Sequence, residues 1–396
     1  MMTESNPTLS LAERDRRHAL VASRMAEARL DVLILPASTA RWEQTMADAR
    51  YMTSIGGFGT ETLAVFSPKH GATAYVFNRA GYWRNAQNWT PDVRDGRNRW
   101  ADNAAERLHE WGFSQGRIGI SGLGSLTRSP DGIVPHRMVT RLQEKFPAAE
   151  LVDATLLMNR VRAVKSAEEI AVIERSTAIA EAMAARVGTL RPGDTERTVY
   201  ARMVETLLTE GGELPVMLLL GSGPGIDHGM FVPGTRQLEA GDRVVGEIEG
   251  RYAGYSGQVI RPAVLGRADP DYRAMHEAIL AVFTDVLGTL SAGASLAEVV
   301  RKYRQSVARH GGASCQALFP LMHARGLGDE VPVVLDAEDV AGKDDVRLES
   351  GMAFVLKPRI KRGGIGGQIG DMVVVGEQGG RRLGRASLAL IEVPWG

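Results

Sequence analysis

The sequence predicts two consecutive domains, an α/β domain over residues 1–160 and an α+β domain over residues 161–396. Its length of 396 residues exceeds what a single hydrophobic core usually serves. In the first part, short apolar strands alternate with helical patterns, which is typical of an α/β domain. The second part mixes helices with longer strands, which predicts helices packed on one face of a mostly antiparallel sheet.

In the first domain, the elements follow from the spacing of apolar residues. Leucine and methionine recur at helical spacing among charged residues over 9–29, which predicts an amphipathic helix. The further predicted elements are strands over 31–35, 62–66, 74–77 and 117–121, and helices over 99–112 and 134–146.

In the second domain, capping signals mark the helix starts. Ser166-Ala-Glu-Glu169 is a capping box, with Ser at the N-cap and Glu three residues later. Arg191-Pro-Gly-Asp194 is a turn that precedes a second helix over 195–210. The remaining predicted elements are strands near 215–220, 243–249, 254–264, 352–358 and 371–376, and helices over 270–290 and 296–310. The basic run 359–362 is predicted to be a solvated turn.

The most informative segment is 241–261, which has the pattern of two strands joined by a short glycine-rich connection. Because side chains alternate between the two faces of a strand, Glu247 and Glu249 are expected on one face, about 7 Å apart. Two carboxylates on a packed face are costly to bury unless they are used. The segment therefore predicts a functional site.

This segment resembles the metal-binding hairpin of the pita-bread superfamily, which contains methionine aminopeptidase, aminopeptidase P, prolidase and creatinase. The family pattern has an Asp ligand, a Gly-Tyr pair, a second Asp ligand eleven residues after the first, and an Arg. Here Glu247 takes the first ligand position, Gly254-Tyr255 and Arg261 match, and Gln258 takes the second ligand position.

The resemblance covers nearly the whole chain. It implies a pita-bread (creatinase/aminopeptidase-like) α+β C-terminal domain, preceded by an α/β creatinase-like N-terminal domain. Residues 50–54 (Arg-Tyr-Met-Thr-Ser) resemble a characteristic strand of that N-terminal domain, so a strand is expected there.

The resemblance also implies where the other metal ligands of the family would fall. Peptidases of the superfamily hold two divalent ions with two Asp, one His and two Glu. His323 matches the His, whereas Lys357 and Gly370 stand where the two Glu are expected. Hard cations require anionic oxygen ligands, and an ammonium about 4 Å from a divalent ion repels it by roughly 8 kcal/mol at an effective dielectric constant of about 20. We therefore expect most metal ligands to be lost, with no metal and no other cofactor, as in metal-free creatinase.

Three residues are predicted to be catalytic. His228 matches the superfamily His that contacts substrate and serves as acid and base in creatinase, and an ordinary pKa of about 6.5 suits that role. Glu247 would share a proton with Glu249 and act as a general base, assisted by His323. In the alternatives, His228 is a solvated loop residue and His323 is a structural residue bonded to Glu247. The two glutamates would then form salt bridges, with Arg251, Arg261 or Lys357 as the possible partners.

A second group of residues is predicted to bind substrate; it consists of Glu249, Gln258, Arg325, Lys357 and Tyr255. Arg325 and Lys357 place positive charge where the family has metal ions, so they would hold a substrate carboxylate. In the alternative, Lys357 only neutralises Glu247.

Together these features predict a metal-independent hydrolase of a C–N bond, or a lyase, acting on a small, anionic, carboxylate-bearing compound. The resemblance to creatinase implies a homodimer with the pocket near the subunit interface. Two alternatives remain open: a non-catalytic pita-bread binding protein, and a mononuclear metal-dependent Xaa-Pro peptidase-like hydrolase.

Bulk composition excludes several classes of partner. Lys plus Arg equals Asp plus Glu at 47 each, so no net charge attracts nucleic acid or an anionic membrane. The single cysteine, Cys315, excludes an internal disulfide and a cysteine zinc cluster. No apolar run approaches ~20 residues and the N-terminus lacks a signal pattern, so a cytoplasmic location is expected.

Overall fold

The computed structural model of the protein describes residues 8–36, 44–57, 60–125, 129–215, 217–334 and 346–396. Its residue contacts divide the chain into two compact units. The N-terminal unit comprises Met1–Ala163 with Leu327–Glu330, and the C-terminal unit comprises Val164–Gly326 with Val331–Gly396. No described helix is both long enough and apolar enough to cross a membrane.

The N-terminal unit contains a six-stranded mixed sheet packed against helices. Its strands are β1 (Val32–Pro36), β2 (Thr62–Ser67), β3 (Gly71–Val76), β4 (Asp92–Asp95), β5 (Gly116–Ile120) and β6 (Ala149–Asp153). Its helices are α1 (Leu11–Glu27), α2 (Gln44–Thr53), α3 (Ala80–Ala86), α4 (Trp100–Glu110), α5 (His136–Lys145) and α6 (Thr155–Ala163). The strand order is β4-β3-β2-β1-β5-β6, with β2 antiparallel to both of its neighbours and the other pairs parallel.

The strand predicted over 50–54 is wrong, because these residues form the end of helix α2 and the residue after it. Tyr51 is fully buried, and the guanidinium group of Arg17 lies 4.2 Å from its ring centroid. The Thr53 hydroxyl donates a hydrogen bond to the Ala49 carbonyl at 2.7 Å, within the last turn. Packing of the helix against β1 and β2 thus outweighs the strand preference of the local residue types.

Among the residues that the structure describes, the C-terminal unit contains three sheets. Its strands are β7 (Leu219–Gly223), β8 (Arg243–Tyr252), β9 (Tyr255–Ile260), β10 (Ala263–Leu265), β11 (Gln316–Leu318), β12 (Met322–Arg325), β13 (Asp329–Val334), β14 (Ala353–Leu356), β15 (Arg359–Arg362), β16 (Ile365–Gln368), β17 (Asp371–Val374), β18 (Arg381–Arg382) and β19 (Ile391–Val393). Its helices are α7 (Ala167–Ala184), a 3₁₀ helix (Ala185–Thr189), α8 (Glu196–Thr209), α9 (Pro270–Leu287) and α10 (Leu296–Gly311).

The three sheets have the orders β19-β10-β8-β7 with β9 beside β8, β11-β15-β16, and β13-β12-β14-β17-β18. The strand predicted near 215–220 lies later, as β7, because its ladder with β8 runs from the pair Leu219–Glu247 to the pair Gly223–Arg243. The basic run 359–362 is not a solvated turn; it is β15, in which Ile360 is fully buried.

Helix α7 is anchored at its start and packs closely on the β8–β9 hairpin. The predicted capping box is present: the Ser166 hydroxyl accepts from the Glu169 N–H, and the Glu169 carboxylate accepts from the Ser166 N–H. On the hairpin, Gly250 and Gly257 face each other across the ladder. A Cβ at Gly257 would lie 2.3 Å from the backbone nitrogen of Thr177, so only glycine permits this approach. One face of the hairpin is therefore covered by α7, and the opposite face is left to form the site.

Candidate active site

The site face of the hairpin carries the acidic residues that the sequence places together. In the antiparallel ladder, Glu249 pairs with Gln258 and Glu247 pairs with Ile260. Residues opposite each other in such a ladder point to the same side, so Glu247, Glu249 and Gln258 share one face. The prediction that both glutamates lie on one face is confirmed, and all three side chains are buried.

Glu247 is held by a lysine and a glutamine. The ammonium group of Lys357 lies 3.1 Å from Oε1 and 3.2 Å from Oε2, so it faces both carboxylate oxygens. The Gln258 side-chain amide donates to Oε2 at 2.9 Å. The side chains of Glu247 and Lys357 are 1% and 3% exposed. Two roles were predicted for Lys357, holding a substrate carboxylate or neutralising Glu247, and this geometry favours the second.

Glu249 has its own cationic partner from a different sheet. The Arg325 guanidinium group, at the end of β12, forms a short ion pair with Oε2 of Glu249, and both side chains are fully buried. Each carboxylate of the predicted proton-sharing pair thus faces a separate cation, and the shared proton stays a prediction. Arg325 is engaged within the protein rather than presented to a ligand.

His323 lies on β12, two residues before Arg325, and pairs with Val355 of β14 in the ladder. Its side chain is buried, on the strand that also carries Arg325. The predicted roles of His323 and Glu247 in catalysis remain predictions.

A second buried ion-pair group ties the end of the hairpin to β17. Arg261 donates to the Gly370 carbonyl at 2.6 Å and to Oδ2 of Asp371 at 2.8 Å. Burial raises the pKa of the Asp371 carboxyl, while Arg261 and Arg382 act in the opposite direction. The match of Arg261 to the family pattern thus corresponds to a structural tie beside Gly370.

Tyr255 also has a structural contact. Its hydroxyl donates to Oε1 of Glu169 at 2.8 Å, in the first turn of α7, and its carbonyl accepts from the Ser176 hydroxyl at 2.9 Å. The buried ring therefore joins the hairpin to the helix behind it, on the side away from Glu247.

His228 is the one predicted catalytic residue with an accessible side chain, which is 26% exposed. Its loop crosses β8 at Glu247: a Cβ on Gly229 would lie 2.6 Å from the Glu247 backbone nitrogen. The ring stacks on Phe231, with centroids 4.7 Å apart, and its Nδ1 accepts from the Met230 N–H at 3.2 Å. Burial lowers the pKa of His228, and the positive charge of Arg359 lowers it further. The lowered pKa favours the neutral ring, and the hydrogen bond accepted by Nδ1 places the proton of that form on Nε2.

Asp227 and Arg359 lie beside His228 in the candidate site, and the sequence analysis did not single them out. Arg359 donates to Oδ1 of Asp227 at 2.8 Å, and the Lys361 ammonium lies 3.7 Å from Oδ2. Asp227 directly precedes His228, so this ion pair fixes the loop. The sequence does contain a pattern that could have indicated their position. Charged and apolar side chains alternate over Arg359, Ile360 and Lys361, as expected for a strand with one buried face.

The donor set of the described residues does not fit the two divalent ions of the superfamily. Among them, no three His, Cys, Asp or Glu side chains are grouped so as to hold a metal ion. Glu247 already faces an ammonium. A Cβ on Gly370 would lie 3.0 Å from Cδ1 of Ile260 and 3.1 Å from Cβ of Lys357, so the space of a ligand at that position is largely filled.

Comparison with known proteins places the chain in a family. Residues 171–377, just over half of the chain, match metallopeptidase family M24, and residues 17–164 match the creatinase/prolidase N-terminal domain. The chain belongs to metallopeptidase family M24. The predicted pita-bread relationship and the α+β fold class with its creatinase-like N-terminal domain are thereby confirmed.

Relatives in M24 are named as dipeptidases and aminopeptidases. An Xaa-Pro dipeptidase from Pyrococcus furiosus is 25% identical over 268 residues, covering 66% of this chain and 74% of its own. A probable dipeptidase PepE from Mycobacterium tuberculosis is 32% identical over 247 residues, covering 61% of this chain and 64% of its own. The X-Pro aminopeptidase structure from Thermotoga maritima shares the fold, with a TM-score of 0.77, 20% identity, and coverage of 95% of this chain and 99% of its own.

These comparisons overturn the function predicted from the sequence. A metal-independent hydrolase or lyase of a small carboxylate compound is wrong, because the relatives are Xaa-Pro dipeptidases and related peptidases. They support an enzyme of a peptidase family, and they favour one of the two alternatives, the mononuclear metal-dependent Xaa-Pro peptidase-like hydrolase, over the main prediction. The error has a physical source: the anionic substrate was inferred from Arg325 and Lys357, and both cations are buried against glutamates of the hairpin.

Proposed function

We propose that this protein is an Xaa-Pro peptidase-like hydrolase, acting on short peptides in which proline follows the first residue. The observation that carries the proposal is the similarity to Xaa-Pro dipeptidases over 66% and 70% of this chain, together with the match of residues 171–377 to family M24. Three features of the accessible part of the site support this substrate class.

The first feature is the apolar rim beside His228. Met230, Phe231 and Val232 are large apolar residues that are 52%, 41% and 84% exposed. Apolar side chains exposed next to one another mark binding surfaces more often than scattered ones do. A pyrrolidine ring is a compact apolar group, and this rim offers it an apolar contact.

The second feature is the protonation state of His228. A neutral imidazole whose Nδ1 accepts a backbone hydrogen bond presents a hydrogen on Nε2. That group would donate to the carbonyl oxygen of the scissile peptide bond and stabilise the negative charge that develops there during hydrolysis. Stacking on Phe231 fixes the plane of the ring.

The third feature is the positive charge around Asp227. Arg359 and Lys361 place two cations against one carboxylate, which leaves a net positive charge at the accessible end of the site. The free carboxylate of a dipeptide would be attracted there. In hydrolases of this family, bound metal ions act as Lewis acids and activate water. The described residues of this site do not fit two divalent ions, so the proposal gives a metal ion no part in the reaction.

Release of free proline from Ala-Pro, compared with cleavage of Ala-Ala, tests the proposal. The full chain is assayed with added Mn²⁺, Co²⁺ or Zn²⁺, without added ion, and with a chelator. We expect proline release in at least one condition, a preference for Ala-Pro, and a loss of about 100-fold or more in His228→Ala. Absence of proline release in every condition would overturn the proposal.

A second candidate, a binding protein for the same peptides, is favoured by the burial of Glu247 and Glu249 against cations. Saturable binding of Ala-Pro by calorimetry, with no turnover under any condition, would select it. The homodimer remains a prediction, which sedimentation of the purified chain at several concentrations tests directly.

A further inference from the structure

We infer that the Lys357 ammonium group is a built-in occupant of the cation position at Glu247, so that a divalent ion reaches this carboxylate only by displacing a lysine side chain. The inference does not rest on the proposed function, because it concerns what the site binds rather than what it cleaves.

The position of the ammonium group is the first support. Its nitrogen lies 3.1 and 3.2 Å from the two oxygens of Glu247, on the side from which a bidentate carboxylate holds a metal ion. A divalent ion on that side would lie within a few ångströms of a buried positive charge. Like charges in a buried site repel strongly, because little solvent screens them. The ammonium and an ion therefore exclude each other.

The surrounding residues hold the ammonium in this position. The Lys357 N–H donates to the Leu321 carbonyl at 2.8 Å, which anchors the residue between β14 and β15. Gln258 offers Glu247 a donor N–H at 2.9 Å, where the family pattern has a carboxylate ligand. The absence of a side chain at Gly370 leaves room for Lys357, whose Cβ would lie only 3.1 Å from a Cβ at that position.

The neighbouring carboxylate repeats the arrangement. Glu249 is paired with the Arg325 guanidinium group, and both side chains are fully buried. Each of the two adjacent carboxylates on this hairpin face is thus paired with a cationic side chain, Arg325 from the end of β12 and Lys357 from just after β14. Their charges are balanced within the protein, and a divalent ion would add charge rather than balance it.

Metal titration of three variants tests the inference with a readout that does not depend on catalysis. The parent, Lys357→Met, Lys357→Glu and Lys357→Arg are freed of metal and titrated with Mn²⁺ by equilibrium dialysis with elemental analysis. We expect Lys357→Glu to bind Mn²⁺ at least about 100-fold more tightly than the parent, since a repulsive charge is replaced by a ligand. Lys357→Met should bind with intermediate affinity, and Lys357→Arg, which keeps the charge, should match the parent.

Thermal denaturation provides the second measurement. Mn²⁺ should raise the melting temperature of Lys357→Glu and Lys357→Met, and leave that of the parent and of the control Lys69→Glu, at an exposed turn position, unchanged. The inference is overturned if the parent binds stoichiometric Mn²⁺ that Glu247→Gln removes, or if folded Lys357→Glu and Lys357→Met bind Mn²⁺ no more tightly than the parent. Because the parent measurement needs no variant at position 357, the test stands even if the Lys357 variants fold poorly.

Discussion

Removing the Lys357 ammonium group should strongly destabilise the C-terminal unit. In Lys357→Met, the Glu247 carboxylate stays in a site where it is 1% exposed and keeps only the amide of Gln258 as a described hydrogen-bond donor. Breaking a buried ion pair by removing one partner costs about 3–5 kcal/mol, because the remaining charge is not compensated. The cost is a property of the remaining charge rather than of lost packing, since methionine is close to lysine in size.

Neutralising the remaining carboxylate should therefore recover most of the loss. In the double variant Glu247→Gln/Lys357→Met, both charges are absent, and we expect stability within about 1 kcal/mol of the parent. The coupling free energy of the cycle should then exceed about 2 kcal/mol.

Differential scanning calorimetry of the full chain in metal-free buffer measures this cycle. At roughly 2–4 °C per kcal/mol for a unit of this size, a loss of about 3–5 kcal/mol in Lys357→Met should lower the transition of the C-terminal unit by roughly 6–20 °C. The reasoning is refuted if Lys357→Met lies within about 1 kcal/mol of the parent, or if the double variant is as unstable as the single one.

Three further predictions concern the accessible loop and the helix behind the hairpin. Because the pKa of His228 is lowered in the folded protein, its contribution to stability is present above the unfolded pKa and is lost as the pH falls through the folded pKa. Arg359→Gln should raise the pKa of His228, as an NMR titration of the ring protons would show; an unchanged or lower value contradicts this. Gly229→Ala should displace the loop, since its Cβ would meet the β8 backbone at 2.6 Å, and should weaken Ala-Pro cleavage or binding while a surface Gly→Ala change does not. Tyr255→Phe removes the hydrogen bond to Glu169 and should cost about 1–3 kcal/mol in urea denaturation with cleavage unaffected; equal stability would rule out the structural role.

The sequence could place the hairpin and its carboxylates because these depend on local patterns. Strand alternation put Glu247 and Glu249 on one face, and the capping box located the start of α7. The partners of the carboxylates could not be predicted in the same way. Arg325 meets Glu249 across two different sheets, so their pairing depends on how those sheets pack, which no spacing along the chain reports.

Two further differences have local causes. The strand expected over 50–54 is a helix because tertiary packing of Tyr51 decides the conformation of a segment that fits either state. The run 359–362 was expected to be a turn because of its charges, whereas the single buried Ile360 makes it a strand. As a result, Arg359 and its contact with Asp227 were not foreseen.

The central claim is that a lysine occupies the cation position of an M24 site. Anomalous diffraction at the manganese edge, from crystals of the parent grown with Mn²⁺, tests this most directly. We predict no anomalous peak within coordinating distance of Glu247, with the Lys357 ammonium still facing both carboxylate oxygens. A peak between Glu247 and His323, with Lys357 turned away, would contradict the account.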